Sequence, residues 1–176
     1  RIVVSTDTYV VTPLFFPGGD IGRLAVHGTV NDLVSCGAEP LFLTLGLVIE
    51  EGLPIETLRR VLIGIRDAAA ETRVKVVTGD TKVVPRGAAD GIFANTSGLG
   101  RLWSGVNLGM NRIRPDDAII VTGTIADHGI AVLGARESLD FGRQILSDSA
   151  ALGDLIKRVH EAGHDIHFMR DPTRGG

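Results

Sequence analysis

A chain of 176 residues, 44% hydrophobic and 22% charged, is long enough to bury one good core, or one full domain and part of another, and too apolar to be disordered. Its net charge of −3 carries no electrostatic footprint for nucleic acid, and its longest nearly apolar run, residues 41–49, falls far short of the roughly 20 residues a membrane helix needs. No secretory pattern is read, and the single cysteine, Cys36, excludes an internal disulfide and fits a reducing, cytoplasmic setting.

In chain order, Ile2-Val3-Val4 is β-rich, Ser5-Thr6-Asp7-Thr8 reads as a polar insert, and Tyr9-Val10-Val11 resumes strand character. The insert would set Asp7 at a sheet edge or mouth. Pro17-Gly18-Gly19 then breaks the chain before Asp20, which can cap a helix over 20–36 that Gly37 ends. The rest of the chain is organised around this helix. Gly28 weakens it, which points to close approach of another backbone or a ligand, and Asn31-Asp32 sit one turn further on. Cys36, at its end, reads as packing. Pro40 breaks the chain ahead of a buried strand over 41–49.

Pro54 opens a second helix with the apolar stripe Leu58, Val61, Leu62, Ile65 and Ala69. A strand over 74–78 comes next, then Gly79-Asp80-Thr81-Lys82, a loop over 85–91 and a strand over 92–100. The order β, α, β, α, β, β predicts an α+β or mixed α/β layer arrangement. After a connector over 107–114 a second unit starts, with a strand over 118–122, a helix over 127–137, a polar loop over 138–148 and a helix over 150–162 stopped by Gly163. The chain begins inside strand-like sequence at Arg1 and stops in the glycine turn Arg174-Gly175-Gly176, so it reads as a piece of a longer protein.

Neither a Walker loop, a G-x-G-x-x-G fingerprint, a G-x-S-x-G elbow nor a C-x-x-C pair is present. The chain offers instead isolated aspartates at the ends of apolar elements: Asp7, Asp32, Asp80 and Asp171. Converging carboxylates repel one another unless a cation neutralises them, and magnesium takes a few carboxylates together with waters and phosphate oxygens. Lys82 would then reach a phosphate as a point charge. The alternative is that each Asp only caps a helix or shapes a turn. His160, His164 and His167 have a zinc-like spacing, but Gly163 interrupts any helix that would make them converge. His128, in Asp127-His128-Gly129 at a helix entry, is either structural or aimed at a site beyond the sheet; His27 reads as a partly buried polar residue.

The strings STDT, PLFFPGGDIG, GTVNDL, VTGDTKVV, DHGIAV and DPTRGG together resemble the HypE family of [NiFe]-hydrogenase maturation factors. That family lies in the superfamily of aminoimidazole ribonucleotide synthetase, selenophosphate synthetase and thiamine-monophosphate kinase. STD, NDL and GDT point only to the superfamily; PLFFPGGDIG with GTVNDL and DPTRGG is specific to the family. The resemblance implies an α+β fold of the aminoimidazole ribonucleotide synthetase type. Residues 1–111 would form an ATP-binding domain whose four-stranded sheet pairs across a homodimer, and 112–176 the start of a second α/β domain. It implies ATP-dependent dehydration of a C-terminal cysteine S-carboxamide to a thiocyanate, for the cyanide ligands of the hydrogenase iron. Motif by motif, it places Asp7, Asp32, Asp80 and Asp171 on magnesium. It places Thr6, Asn31, Gly79, Thr81 and Lys82 with them around ATP, and Lys82 and His128 in catalysis. The implied partners are the carbamoyltransferase HypF and the HypC–HypD scaffold. The family's acceptor cysteine tail and glycine-rich first segment are not in this chain, so activity of the chain alone is not expected. The competing expectations are another ATP-using relative or a non-catalytic dimerisation module.

Overall fold

The computed structural model describes residues 1–142 and 144–173; the glycine turn expected at 174–176 lies outside them. Strand β1 (Ile2–Tyr9) is continuous. The expected polar interruption at Ser5-Thr6-Asp7-Thr8 does not occur, because every residue from Ile2 to Tyr9 finds a partner on β6. A small hairpin, β2 (Phe15–Phe16) and β3 (Gly19–Asp20), turns at Pro17-Gly18, with Gly18 in the left-handed region at φ 89°.

Helix α1 (Ile21–Ser35) starts where the sequence signals it: Asp20 Oδ1 accepts the orphan N–H groups of Gly22 at 2.8 Å and Arg23 at 3.0 Å. Gly37 ends it at φ 77°. Strand β4 (Ala38–Glu50) begins earlier than expected. Pro40 does not break it but sits beside a register irregularity between Pro40 and Phe42, where a missing N–H is tolerated. Helix α2 (Ile55–Glu71) follows Pro54 and buries Val61, Gly64, Ile65 and Ala68, while Leu62 of the expected stripe is exposed. Strand β5 (Lys75–Val84) continues through Gly79-Asp80-Thr81-Lys82, held by its parallel ladder to β4, and β6 (Ile92–Leu102) closes the sheet.

The sheet is four-stranded and mixed, in the order β1-β6-β4-β5. Both helices pack on one face, around Ile21, Val26, Val30, Leu43, Val61 and Ile92. Side-chain alternation and the ladder register assign the faces. Ser5, Asp7 and Tyr9 of β1 share the helix-covered side with buried Thr96, Ala94 and Leu43. Thr6, Thr8, Asn95, Gly46 and Asp80 lie on the open side, with Val4, Phe42 and Leu99, which are 66%, 43% and 38% exposed.

Beyond β6 a 3₁₀ turn (Met110–Arg112) leads to α3 (Asp127–Glu137) and α4 (Gly153–Glu161). The strand expected over 118–122 is absent: Ile119 and Ile120 are 94% and 85% exposed, and among the described residues no strand pairs with them. Helix α4 starts later than expected because Asn31 holds the preceding segment: its Nδ2 donates to Ala150 O at 2.8 Å and its Oδ1 accepts from Leu152 N–H at 3.0 Å. Among the described residues no helix is long and apolar enough to cross a membrane.

Candidate functional site

The acidic centre lies at the seam between β1 and α1. Asp32 projects from the helix toward the strand and accepts a hydrogen bond from Ser5 Oγ at 2.8 Å. Partial burial lifts its carboxyl above the ordinary range; the Ser5 bond opposes that, and the charges of Asp171 and Asp7 add to it. Asp7 stands exposed between Ser5 and Tyr9, its Oδ1 accepting the N–H of Thr8 at 2.7 Å. Asp171, also exposed, accepts the N–H of Thr173 at 3.3 Å. The Asp32 carboxyl thus feels two others from different parts of the chain, though no three such side chains among the described residues close on one point. This donor set fits magnesium, which is held by one or two carboxylates and completed by waters and phosphate oxygens.

Beneath the pair runs a line of buried hydroxyls. Tyr9 Oη is 3.4 Å from Thr29 Oγ1, Thr29 Oγ1 is 2.6 Å from Thr96 Oγ1, and Thr96 Oγ1 donates to Ala25 O at 3.0 Å. Gly28 is thereby explained: a Cβ there would lie 2.1 Å from the phenol oxygen. The close approach that Gly28 signalled is a side chain, not a backbone or a ligand. Ser5, Tyr9, Thr29 and Thr96 escaped the sequence reading. Alternation of Ser5, Asp7 and Tyr9 along one strand face was the available signal, hidden by reading Ser5 to Thr8 as an insert.

Asp80 and Lys82 stand apart from this centre. β5 and β1 are opposite edges of the sheet, three strand spacings or about 14 Å apart. Asp80 and Lys82 also face the open side, whereas Asp7 faces the helices. Lys82 Nζ pairs with Asp80 Oδ2 at 2.7 Å, and that bond holds the Asp80 carboxyl below the usual carboxylate range. Thr81 N–H donates to Asp80 Oδ1 at 2.9 Å. Gly79 has a packing reason, since a Cβ there would lie 2.4 Å from Leu45 O. Thr6 bonds Ser97 Oγ at 2.8 Å on the open face, and the Asn31 amide is engaged at both ends by the segment before α4. Within one copy, therefore, Asp32 lies in electrostatic reach of Asp7 and Asp171, and Thr6, Gly79, Asp80, Thr81 and Lys82 do not join them.

His128 lies in the first turn of α3, on a groove of about 430 Å³ that Thr8, Tyr9 and Val11 also line. Its Nδ1 is 3.0 Å from Ser147 Oγ, and its ring meets Phe16 edge-on at 5.1 Å. Burial pushes its pKa down, so the imidazole is neutral near pH 7. His27 is more buried than expected, at 4% exposure. Burial lowers its pKa against the opposing pull of Glu71, whose Oε2 is 3.4 Å from Nε2 but out of line for a hydrogen bond. Cys36 is exposed at the α1 C-cap rather than packed, because the buried stripe of α1 ends at Val34. Partial desolvation of its sulfur and the Asp32 charge raise its pKa, which keeps it a thiol. The three C-terminal histidines do not converge: α4 caps at Ala162, His160 stacks on Trp103, and His167 pairs with Asp117 and Asp165.

Sheet order, helix placement and this acidic seam define a family. Residues 1–102 match the AIR synthase related protein N-terminal domain and residues 114–176 its C-terminal domain, and the chain belongs to that family. Within it, the chain is similar throughout its length to HypE: it is 52% identical over 177 residues to the carbamoyl dehydratase HypE of Rhizobium leguminosarum bv. viciae. A HypE in a HypE–HypF complex superposes at a TM-score of 0.96, with 52% identity, over 99% of this chain and 57% of that one. The hydrogenase maturation protein HypE in complex with ATP superposes at 0.95, with 49% identity, over all of this chain and 52% of that one. The chain spans about half the length of the curated relatives it matches.

Proposed function

We propose that this chain is the ATP-handling part of a cytoplasmic [NiFe]-hydrogenase maturation factor, a carbamoyl dehydratase. The reaction removes water from a cysteine S-carboxamide, R–S–C(=O)–NH₂, to give the thiocyanate R–S–C≡N, with ATP converted to ADP and phosphate. The carboxamide oxygen takes the phosphoryl group and leaves as phosphate, while the nitrogen gives up its two protons. The cyano group then passes to the hydrogenase iron. The observation that supports this reading is the seam at Asp32, which Ser5 of β1 bonds at 2.8 Å and whose carboxyl is lifted first by partial burial and then by the charges of Asp171 and Asp7.

Asp7 and Asp32, with Asp171, would hold magnesium, which supplies charge neutralisation of the ATP phosphates when bound. Ser5 keeps the Asp32 carboxylate turned toward the strand. His128, neutral and on the groove that opens beside Tyr9, is suited to accept an amide proton. Asp80 and Lys82 face the open side of the far edge, so they reach a nucleotide at this seam only from a second copy. The exposed Val4, Phe42 and Leu99 of that open face suit a homodimer in which two sheets pack together. HypF and the HypC–HypD scaffold are the proposed partners, the first supported by the similar HypE–HypF complex.

Titrating the chain with ATP by calorimetry, with and without magnesium, tests the site. Magnesium-dependent binding that Asp32→Ala abolishes is expected. Binding that survives both magnesium removal and Asp32→Ala would refute the assignment.

A further inference from the structure

We infer that Tyr9 is a positioning residue for the Asp7–Asp32 pair: its hydroxyl, seated where a side chain at Gly28 would be, sets how β1 lies on α1. The inference rests on the reading of that pair as cation ligands. Among the described residues Asp7 makes no hydrogen bond to α1; its Oδ1 accepts the N–H of the next residue at 2.7 Å, and its carboxylate bears on the Tyr9 phenol of the same strand. Its place relative to Asp32 is therefore dictated by its neighbours on the same strand face. Two residues before it, Ser5 bonds Asp32 at 2.8 Å. Two residues after it, the Tyr9 hydroxyl meets Thr29 at 3.4 Å. The strand is pinned to the helix on both sides of Asp7.

The second pin has no slack. An ideal Cβ on residue 28 would stand 2.1 Å from Tyr9 Oη and 2.9 Å from Cζ, so the phenol fills the space a side chain there would occupy. Behind it, Thr29 and Thr96 are 0% and 1% exposed and bond each other at 2.6 Å. Thr96 is also the residue directly opposite Asp7 in the β1–β6 ladder. The hydroxyl line thus joins the partner strand, the helix and β1 around one residue, Asp7. A phenylalanine at position 9 would keep the ring and its burial but free the strand to settle differently on α1.

The test measures Mn²⁺ affinity by electron paramagnetic resonance, Mg·ATP affinity by calorimetry, and Tm, on the full chain carrying Tyr9→Phe, Thr29→Val, Val26→Ala or Asp32→Ala. Groups that orient ligands indirectly typically change metal affinity about 10–100-fold. Tyr9→Phe and Thr29→Val are expected to weaken Mn²⁺ about tenfold or more. Val26→Ala, in the same helix core, is expected to lower Tm at least as far and leave Mn²⁺ affinity at the wild-type value. Wild-type affinity in Tyr9→Phe, with binding abolished by Asp32→Ala, overturns the positioning role and leaves the cation site standing. Mn²⁺ binding that persists in Asp32→Ala overturns the cation site and the positioning role together.

Discussion

Replacing Gly64 by alanine sets two effects of opposite sign against each other. In a helix interior the substitution is favourable by about 1 kcal/mol on propensity alone. In this fold, however, a Cβ at position 64 would lie 2.3 Å and 2.7 Å from the two carboxylate oxygens of Asp20. That carboxylate caps α1 through Gly22 and Arg23, and a lost cap costs about 1 kcal/mol. Moving the helices apart is not cheap, because it would open the close packing of Gly22 on α2, where an ideal Cβ would lie 2.4 Å from the Val61 carbonyl. Overpacking of this kind costs a further 1–3 kcal/mol or so. The sum is a net destabilisation of about 1–3 kcal/mol, or roughly 2–10 °C in Tm for a chain of this size. Urea and thermal unfolding of Gly64→Ala, alone and combined with Asp20→Ala, measure it. With the carboxylate gone, the alanine at 64 should become neutral or stabilising, giving a coupling of about 1 kcal/mol or more. A single Gly64→Ala variant more stable than the wild type would refute the claim that Asp20 is locked between the helices.

The same geometry sets two further outcomes. His27 titrates below its ordinary value, so the unfolded chain takes up that proton first; stability is full above about pH 6.5 and falls as the pH drops toward the folded-state pKa. Urea unfolding at pH 7.5 and 5.5 should therefore show a larger loss for wild type than for His27→Gln, and equal losses would contradict the burial argument. On the open sheet face, the proposed homodimer predicts that Phe42→Glu halves the mass seen by sedimentation and weakens Mg·ATP binding while α1 and α2 stay folded by circular dichroism; a dimer indifferent to this charge would rule out that face as the interface.

Local chemistry made much of the fold readable in advance. The Asp20 cap, the Gly37 stop and the Pro54 start each act within a few residues, and α1 and α2 begin or end where those residues say. Strand limits in β1 and β5 were not readable, because polar Ser5 to Thr8 and Gly79 to Lys82 are kept extended by ladder partners about 35 to 90 positions away. Residues 118–122 failed in the opposite direction: β propensity without a partner strand leaves an exposed, irregular segment. The same distinction governs the site. Asp7 and Asp32 were recognisable as carboxylates on apolar elements, but whether Asp80 joins them depends on strand order and facing, which no local pattern encodes. Asn31, one position from Asp32, holds residues 150 and 152 through its amide, a contact no local pattern encodes.

That adjacency links two tasks on one helix. Consecutive residues on α1 leave the axis about 100° apart, so Asn31 and Asp32 serve different clients while sharing one rigid turn. A pull on the segment leading into α4 arrives at Asn31 as a torque about the helix axis, with no soft loop in between to absorb it. The Asp32 carboxylate on that same turn is held by Ser5. The anchor of the later part of the chain and the acidic centre therefore share a single helical turn.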